Sequence, residues 1–181
     1  MSFTDKNIYL IVAADKNNGI GKDGKLPWHL KKEMEFFRDT TSETFEENVQ
    51  NMVIMGRTTW ESLPEKFRPL PDRKNAVLTQ NRNYKAEGAD VYFSLGEALK
   101  RADMDEGIES IFIIGGAKIY DLAIDVVDSI YLTRIDHDFK CDTFLPEIDK
   151  KEFYNCEELG EEEEDGFKYK FLFYSKGSDI I

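Results

Sequence analysis

Apolar residues in this chain alternate between two arrangements. Short, nearly continuous runs mark buried strands, and runs spaced three and four apart mark helices. Ile8 to Ala14 is such a continuous run, bounded by polar residues, as expected of a central strand covered on both faces. Asn51 to Met55, Ala76 to Thr79, Val91 to Phe93, Ser110 to Ile114 and Ser129 to Ile135 read as further strands. Between them, helices are expected over Leu30 to Thr40, beyond Pro27, and over Thr58 to Leu63. Two more are expected over Leu95 to Ala102, opened by Ser94 as N-cap with Glu97 three residues on, and over Ala117 to Leu122. This order predicts an α/β fold with a central, mostly parallel sheet flanked by helices. The end of the chain differs: Phe153 to Leu159 and Phe167 to Ser175 read as an antiparallel hairpin, with acidic Gly160 to Gly166 as its solvated turn. Asp15 to Lys25 reads as a mobile loop, Glu43 to Asn51 as a polar surface excursion, and proline-rich Pro64 to Pro71 as an ordered, non-helical loop. With no repeat or linker, residues 1 to 181 are expected to form one domain.

Composition narrows the class. Hydrophobic residues make up 41% and charged residues 33%, a globular balance. No apolar run reaches membrane-span length, and the opening Met1-Ser2-Phe3-Thr4-Asp5-Lys6 lacks the order of a secretory signal, so a cytoplasmic protein without a membrane partner is expected. Cys141 and Cys156 lack ligand or CxxC spacing and read as reduced thiols. A net charge of -12 argues against nucleic acid as partner. The distribution matters more: residues 53 to 85 carry seven cations against three acids, leaving room for an anion site in an acidic chain.

Glu33 is the sharpest candidate. With Leu30, Met34 and Phe37 it falls at i, i+3, i+4 and i+7, placing a carboxylate in an apolar stripe. It either meets a buried Arg or Lys in a structural salt bridge or awaits a ligand offering paired N–H donors. Gly115-Gly116, between a strand and a short helix, makes either an ordinary tight turn or a close approach for a phosphate. Met55-Gly56-Arg57-Thr58-Thr59 repeats that strand-glycine-helix pattern with a guanidinium and two hydroxyls. Neither is the GxGxxG dinucleotide fingerprint. Arg68 and Arg73 flank Pro69-Leu70-Pro71 and could clamp a carboxylate. His29 and His137 read as structural or surface residues, and no metal site is expected.

Taken together these segments resemble the dihydrofolate reductase family from Ile8 to about Phe173. The resemblance rests on Gly19-Ile20-Gly21 with Leu26-Pro27-Trp28, and on Val53 to Ser62. It continues through Arg68-Pro69-Leu70-Pro71-Asp72-Arg73-Lys74-Asn75, Ile114-Gly115-Gly116-Ala117-Lys118-Ile119-Tyr120 and Tyr131-Leu132-Thr133. It implies NADPH-dependent reduction of dihydrofolate by an enzyme that antifolates such as methotrexate would inhibit, and a monomer is the default expectation. Glu33 would bind the pterin ring, with Thr133 hydrogen-bonding Glu33 directly or through water. Leu26 and Trp28 would belong to the catalytic surroundings. Val12, Ala13, Met34, Phe37, Leu63, Leu70, Ile114 and Tyr120 would line the substrate pocket. Arg73 would pair with the glutamate α-carboxylate, with Arg68 near the same tail.

On the cofactor side the resemblance implies Ala14, Ile20 and Gly21 beside the nicotinamide and Gly56, Arg57, Thr58 and Thr59 at phosphates. Gly115, Gly116, Ala117, Lys118, Ile119 and Tyr120 would hold the pyrophosphate and nicotinamide side, and Leu78, Thr79 and Arg82 the adenosine. Arg57 and Arg82 would select the 2′-phosphate, and the Asp15 to Lys25 loop would be the lid. The chain departs from the common pattern at Ala117, where a third glycine is frequent, and at Thr58, where a basic residue is. A related pterin or pyrimidine reductase and a non-catalytic folate or NADPH binder are the rival readings. Because the chain ends with the reductase-like hairpin, no fused thymidylate synthase is expected.

Overall fold

The computed structural model describes residues 4–177; Met1 to Phe3, part of the expected leaderless start, and residues 178–181 at the end of the expected domain lie outside the described residues. The elements follow in the order β1 (Ile8–Asp15), β2 (Gly19–Gly21), α1 (Lys31–Ser42), β3 (Gln50–Gly56), α2 (Arg57–Ser62), β4 (Arg73–Leu78) and β5 (Asp90–Tyr92). They continue with α3 (Leu95–Met104), β6 (Ile108–Gly115), α4 (Ala117–Ala123), β7 (Ser129–Ile135), β8 (Thr143–Phe144), β9 (Asn155–Glu164) and β10 (Phe167–Ser175). One sheet of eight strands runs β5-β4-β3-β6-β1-β7-β10-β9, and β2 pairs separately with β8. From β5 to β7 every neighbouring pair is parallel, while β10 lies antiparallel to both β7 and β9. The expected α/β class, central parallel sheet and C-terminal antiparallel pair are all present.

The period of two along each strand divides the core. Leu10, Val12, Met52, Ile54, Ile111 and Ile113 face one cluster, which α3 and α4 cover with Ala98, Leu99, Ile119 and Ala123. Ile11, Val53, Met55 and Phe112 face the other, covered by Phe36 and Phe37 of α1 and Trp60 of α2. A third cluster of Trp28, Leu30, Ile135, Tyr169 and Phe171 closes the sheet where α1 meets β7 and β10.

Four local expectations are corrected. The acidic run is not a solvated turn: residues through Glu164 belong to β9, and the turn is only Asp165-Gly166, with φ of 53° and 82°. Two residues at positive φ suit a hairpin connection, and Lys168 and Lys170 opposite Glu163 and Glu161 make the acidic strand tolerable. Pro64 to Pro71 is not wholly non-helical, because Glu65–Phe67 makes one 3-10 turn before Arg68.

Met34 does not sit in the buried stripe of α1. It is 50% exposed, and Phe36, stacked on Phe171 with centroids 4.2 Å apart, takes the inward place. The Asp15 to Lys25 loop is pinned rather than free. Asp15 ends β1 at 1% exposure, and its carboxylate accepts the backbone N–H groups of Asn17, Gly19 and Phe139. The expected cap of α3 is present, Ser94 Oγ accepting the Glu97 N–H at 3.1 Å.

Candidate active site

Parallel strands that end side by side leave a crevice at their carboxyl ends. Here β3 and β6 are neighbours, with Met55 opposite Gly115, so their two strand-glycine-helix turns meet. A Cβ on Gly56 would lie 3.1 Å from Ile119 Cγ1, and one on Gly116 would lie 3.3 Å from Thr59 Oγ1. Gly115, at φ 121°, also has the Tyr120 ring against it, a Cβ there meeting Tyr120 Oη at 3.2 Å. A side chain at Gly56 or Gly116 would therefore crowd the space between the turns, and one at Gly115 would run into the Tyr120 ring. Arg57, Thr58 and Thr59 open α2, and Ala117 and exposed Lys118 open α4. Ile119 and Tyr120 are buried in the wall instead: Ile119 lies under Gly56, and the Tyr120 hydroxyl donates to the Ile11 carbonyl at 2.9 Å.

Across the sheet, α1 carries Glu33. Leu30 occupies the N-cap position and offers no side-chain acceptor. The Lys31 and Lys32 N–H groups donate instead to the two oxygens of the Glu164 carboxylate, at 2.7 and 3.1 Å. Glu33 itself has no ion pair or hydrogen bond to its side chain among the described residues, which removes the salt-bridge alternative there. Burial without a counter-charge pushes its pKa up to about 7. Thr133 is buried but makes no direct hydrogen bond to Glu33. Trp28 is buried as well, and its indole N–H has no protein acceptor among the described residues.

Half-buried Phe37, Leu63, Leu70 and Ile114 pack against the second core cluster, and Ala13 against the third. Val12 and Ala14 are buried in β1, while Ile20 and Gly21 of β2 are half-buried. Met34 and Leu26 are exposed, Leu26 at 64%.

At the far end of α1 lies Arg73, the first residue of β4 and only 7% exposed. Its Nε donates to the Pro71 carbonyl at 2.8 Å and its Nη1 to Thr41 Oγ1 at 2.9 Å. No carboxylate pairs with it among the described residues, and burial lowers its pKa. Arg68 is not its equal partner. Its Nη1 donates to the Trp60 carbonyl at 3.1 Å, its Nη2 lies 3.7 Å from Glu65, and its guanidinium covers the Trp60 ring.

The sequence profile of dihydrofolate reductase matches residues 7–176. The chain belongs to the dihydrofolate reductase family. It is 46% identical to the dihydrofolate reductase of Heliothis virescens over 177 residues, spanning 92% of this chain and 96% of that one. It is 42% identical to the Gallus gallus enzyme over 183 residues, with 94% and 97% covered. Among solved structures, Schistosoma mansoni dihydrofolate reductase superposes with a TM-score of 0.81 at 34% identity, covering 95% of this chain and 99% of that one.

The remaining expected cofactor residues lie beyond the glycine turns. Leu78 is buried, and Thr79 is held in its loop, its N–H bonded to the Tyr92 carbonyl and its Oγ1 accepting from Asn81. Exposed Arg82 lies over the Phe93 ring at 4.2 Å, while Arg57 is shared between Glu61 at 3.6 Å and the Tyr84 ring. Three contributors escaped the sequence reading: Thr41, Asp15 and Glu164. Thr41 stood outside the predicted helix by one residue, and the charges of Asp15 and Glu164 read as loop solubility. A sequence signal existed for Glu164, because a helix opening Leu-Lys-Lys needs an acceptor from elsewhere.

Proposed function

We propose that the chain reduces 7,8-dihydrofolate to 5,6,7,8-tetrahydrofolate with NADPH as hydride donor. The observation that carries this reading is Glu33, a half-buried acid whose pKa burial raises, in a helix whose far end presents the buried cation Arg73, neither having an ion-pair partner among the described residues. Eight residues of helix separate Glu33 from Thr41, about 12 Å at 1.5 Å per residue. That is the scale of a pteridine joined through an aminobenzoyl group to glutamate. Glu33 accepts hydrogen bonds from the pterin N3–H and 2-amino group. Phe37 and Leu63 pack on the rings, Arg73 binds the glutamate α-carboxylate, and the Val12 and Ile114 backbone carbonyls would accept from the 4-amino group of antifolate inhibitors. A substrate without that carboxylate would leave the Arg73 charge buried and unanswered, which argues against a reductase for simpler pterins.

When bound, NADPH supplies the hydride that reaches pterin C6. Gly56, Gly115 and Gly116 admit its phosphates, Thr58 and Thr59 add hydroxyls, and Ala14 and Ile20 border the nicotinamide. Arg82, without an acid partner among the described residues, and Arg57, held by only one solvent-exposed acid, are available for the 2′-phosphate. Pterin N5 must gain a proton. With a pKa of about 7, Glu33 can hold a proton in the pocket at neutral pH. The unpaired Trp28 N–H suits a hydrogen-bonded water, since buried donors are rarely left without an acceptor. A water held there would pass a proton to N5 and regain one from the Glu33 carboxyl or from solvent, while Glu33 sets the electronic state of the ring.

Mixing the purified protein with NADPH and dihydrofolate and following loss of reduced-nicotinamide absorbance tests the reading. Oxidation that needs both substrates and stops with methotrexate is expected; absence of oxidation despite NADPH binding would move the assignment to a related reductase, to be tried on pterins lacking the glutamate tail.

A further inference from the structure

Glu33 is the third residue of α1, the position whose side chain ordinarily turns back to cap its own helix. Everything local encourages it to do so. The N-cap residue is Leu30, which has no acceptor, and the first two residues, Lys31 and Lys32, place cations at the positive end of the helix dipole. Glu33 is the only acid of that first turn. Its carboxylate nevertheless makes no such bond to the Leu30 N–H, and the next two donors of the turn, the Lys31 and Lys32 N–H groups, go to Glu164 with one oxygen each. Glu164 is in turn fixed by the Tyr169 hydroxyl, which donates to Oε1 at 3.1 Å from the buried face of β10.

We propose that Glu164 is a positioning residue for dihydrofolate reduction: it caps α1 from β9, and so leaves Glu33 free to serve the pterin pocket. The inference rests on the function proposed above. Glu164 acts in two separable ways. Its oxygens satisfy the N–H groups that would otherwise draw Glu33 out of the pocket, and its charge offsets the helix dipole that would otherwise favour ionised Glu33. The groups that sense Glu33 from other elements are Tyr120 of α4 and Tyr169 of β10; His29 and Glu162 flank the Glu164–Tyr169 pair. On α1 itself, Lys31, Lys32 and Glu35 are the nearby charges in sequence.

The test compares Glu164→Ala and Glu164→Gln with the parent enzyme, measuring kcat and KM for both substrates across pH. In Glu164→Ala, KM for dihydrofolate is expected to rise about fivefold. The pH midpoint of dihydrofolate turnover should move acidward by about half a pH unit, with KM for NADPH unchanged. Glu164→Gln keeps one of the two acceptor oxygens and loses the charge, so its KM for dihydrofolate should fall between those of the parent and Glu164→Ala, with the midpoint still shifted. A Glu164→Ala enzyme with the parent's midpoint, or KM values for both substrates rising together, overturns the inference. So does a Gln variant no better than Ala. If the parent enzyme itself fails to oxidise NADPH with dihydrofolate, the proposed function falls instead.

Discussion

Glu33 and Arg73 are both charges drawn out of water with no ion-pair partner among the described residues, at two ends of one helix, yet the protein treats them differently. Arg73 is held by two neutral acceptors, the Pro71 carbonyl and Thr41 Oγ1, whereas no hydrogen bond reaches the Glu33 side chain among the described residues. The difference follows from their chemistry. A guanidinium cannot shed its proton in a protein, so its N–H groups must be satisfied in place. A carboxylate can take up a proton instead, and Glu33 does so readily enough that its pKa is pushed up to about 7. One end of the site is thus a fixed cation of set geometry, suited to binding. The other is an acid poised between two states, suited to chemistry.

Replacing the poised acid should have the largest effect. Glu33→Gln keeps the volume but can neither take up a proton nor accept two N–H donors at once, and turnover near neutral pH should fall on the order of 10²-fold or more. The same variant should be more stable than the parent at high pH. The folded pKa of Glu33 lies above the ordinary value of 4.5, so the folded state holds more protons between about 4.5 and 7 and stability falls as pH rises through that window. The cost is absent below it and fully present above it, on the order of 3 kcal/mol. Thermal melts of both proteins at pH 5 and pH 8 check this: the gap should be several-fold larger at pH 8. Equal gaps at both values would mean that Glu33 is not the group that titrates.

Arg73→Leu attacks the fixed end. Losing a charge-assisted bidentate contact should raise KM for dihydrofolate about 10- to 100-fold and leave kcat within a few-fold. A dihydropterin lacking the glutamate tail should be turned over equally by parent and variant, and steady-state kinetics with both substrates separates the cases. A matching loss on the tail-less substrate would show that Arg73 supports the fold of the cleft rather than the tail.

The sheet was legible because its strands are buried on both faces and read as continuous apolar runs; β7 runs from Ser129 to Ile135, the span expected. Glu33 was legible because one charged residue interrupts an apolar helical spacing. Its neighbours were less so. Met34 matched the helical period, but Phe36 fills the inward place by stacking on Phe171, a residue that sequence places far away. The acidic run misled because charge density in a short segment suggests a turn, whereas pairing with Lys168 and Lys170 depends on register. Thr41, which holds Arg73, and Glu164, which holds the Lys31 N–H of α1, lie 32 and 133 positions from their partners, a separation that no local pattern encodes.

Thr41 offers the finest test of the contrast, because it touches Arg73 and nothing that the chemistry needs. Its Oγ1 accepts from Arg73 Nη1 and donates to the Phe37 carbonyl at 2.8 Å, as a hydroxyl in the last turn of a helix can. Thr41→Val keeps the shape and removes that acceptor, so one guanidinium N–H is left unanswered and only the Nε bond to the Pro71 carbonyl still orients the side chain. KM for dihydrofolate should rise about fivefold, with kcat and the pH midpoint unchanged. Because the hydroxyl acts only through Arg73, the double variant Thr41→Val with Arg73→Leu should bind dihydrofolate no worse than Arg73→Leu alone. Additive losses would show that Thr41 supports the pocket by another route, and that the cation end of the site is less self-contained than the acid end.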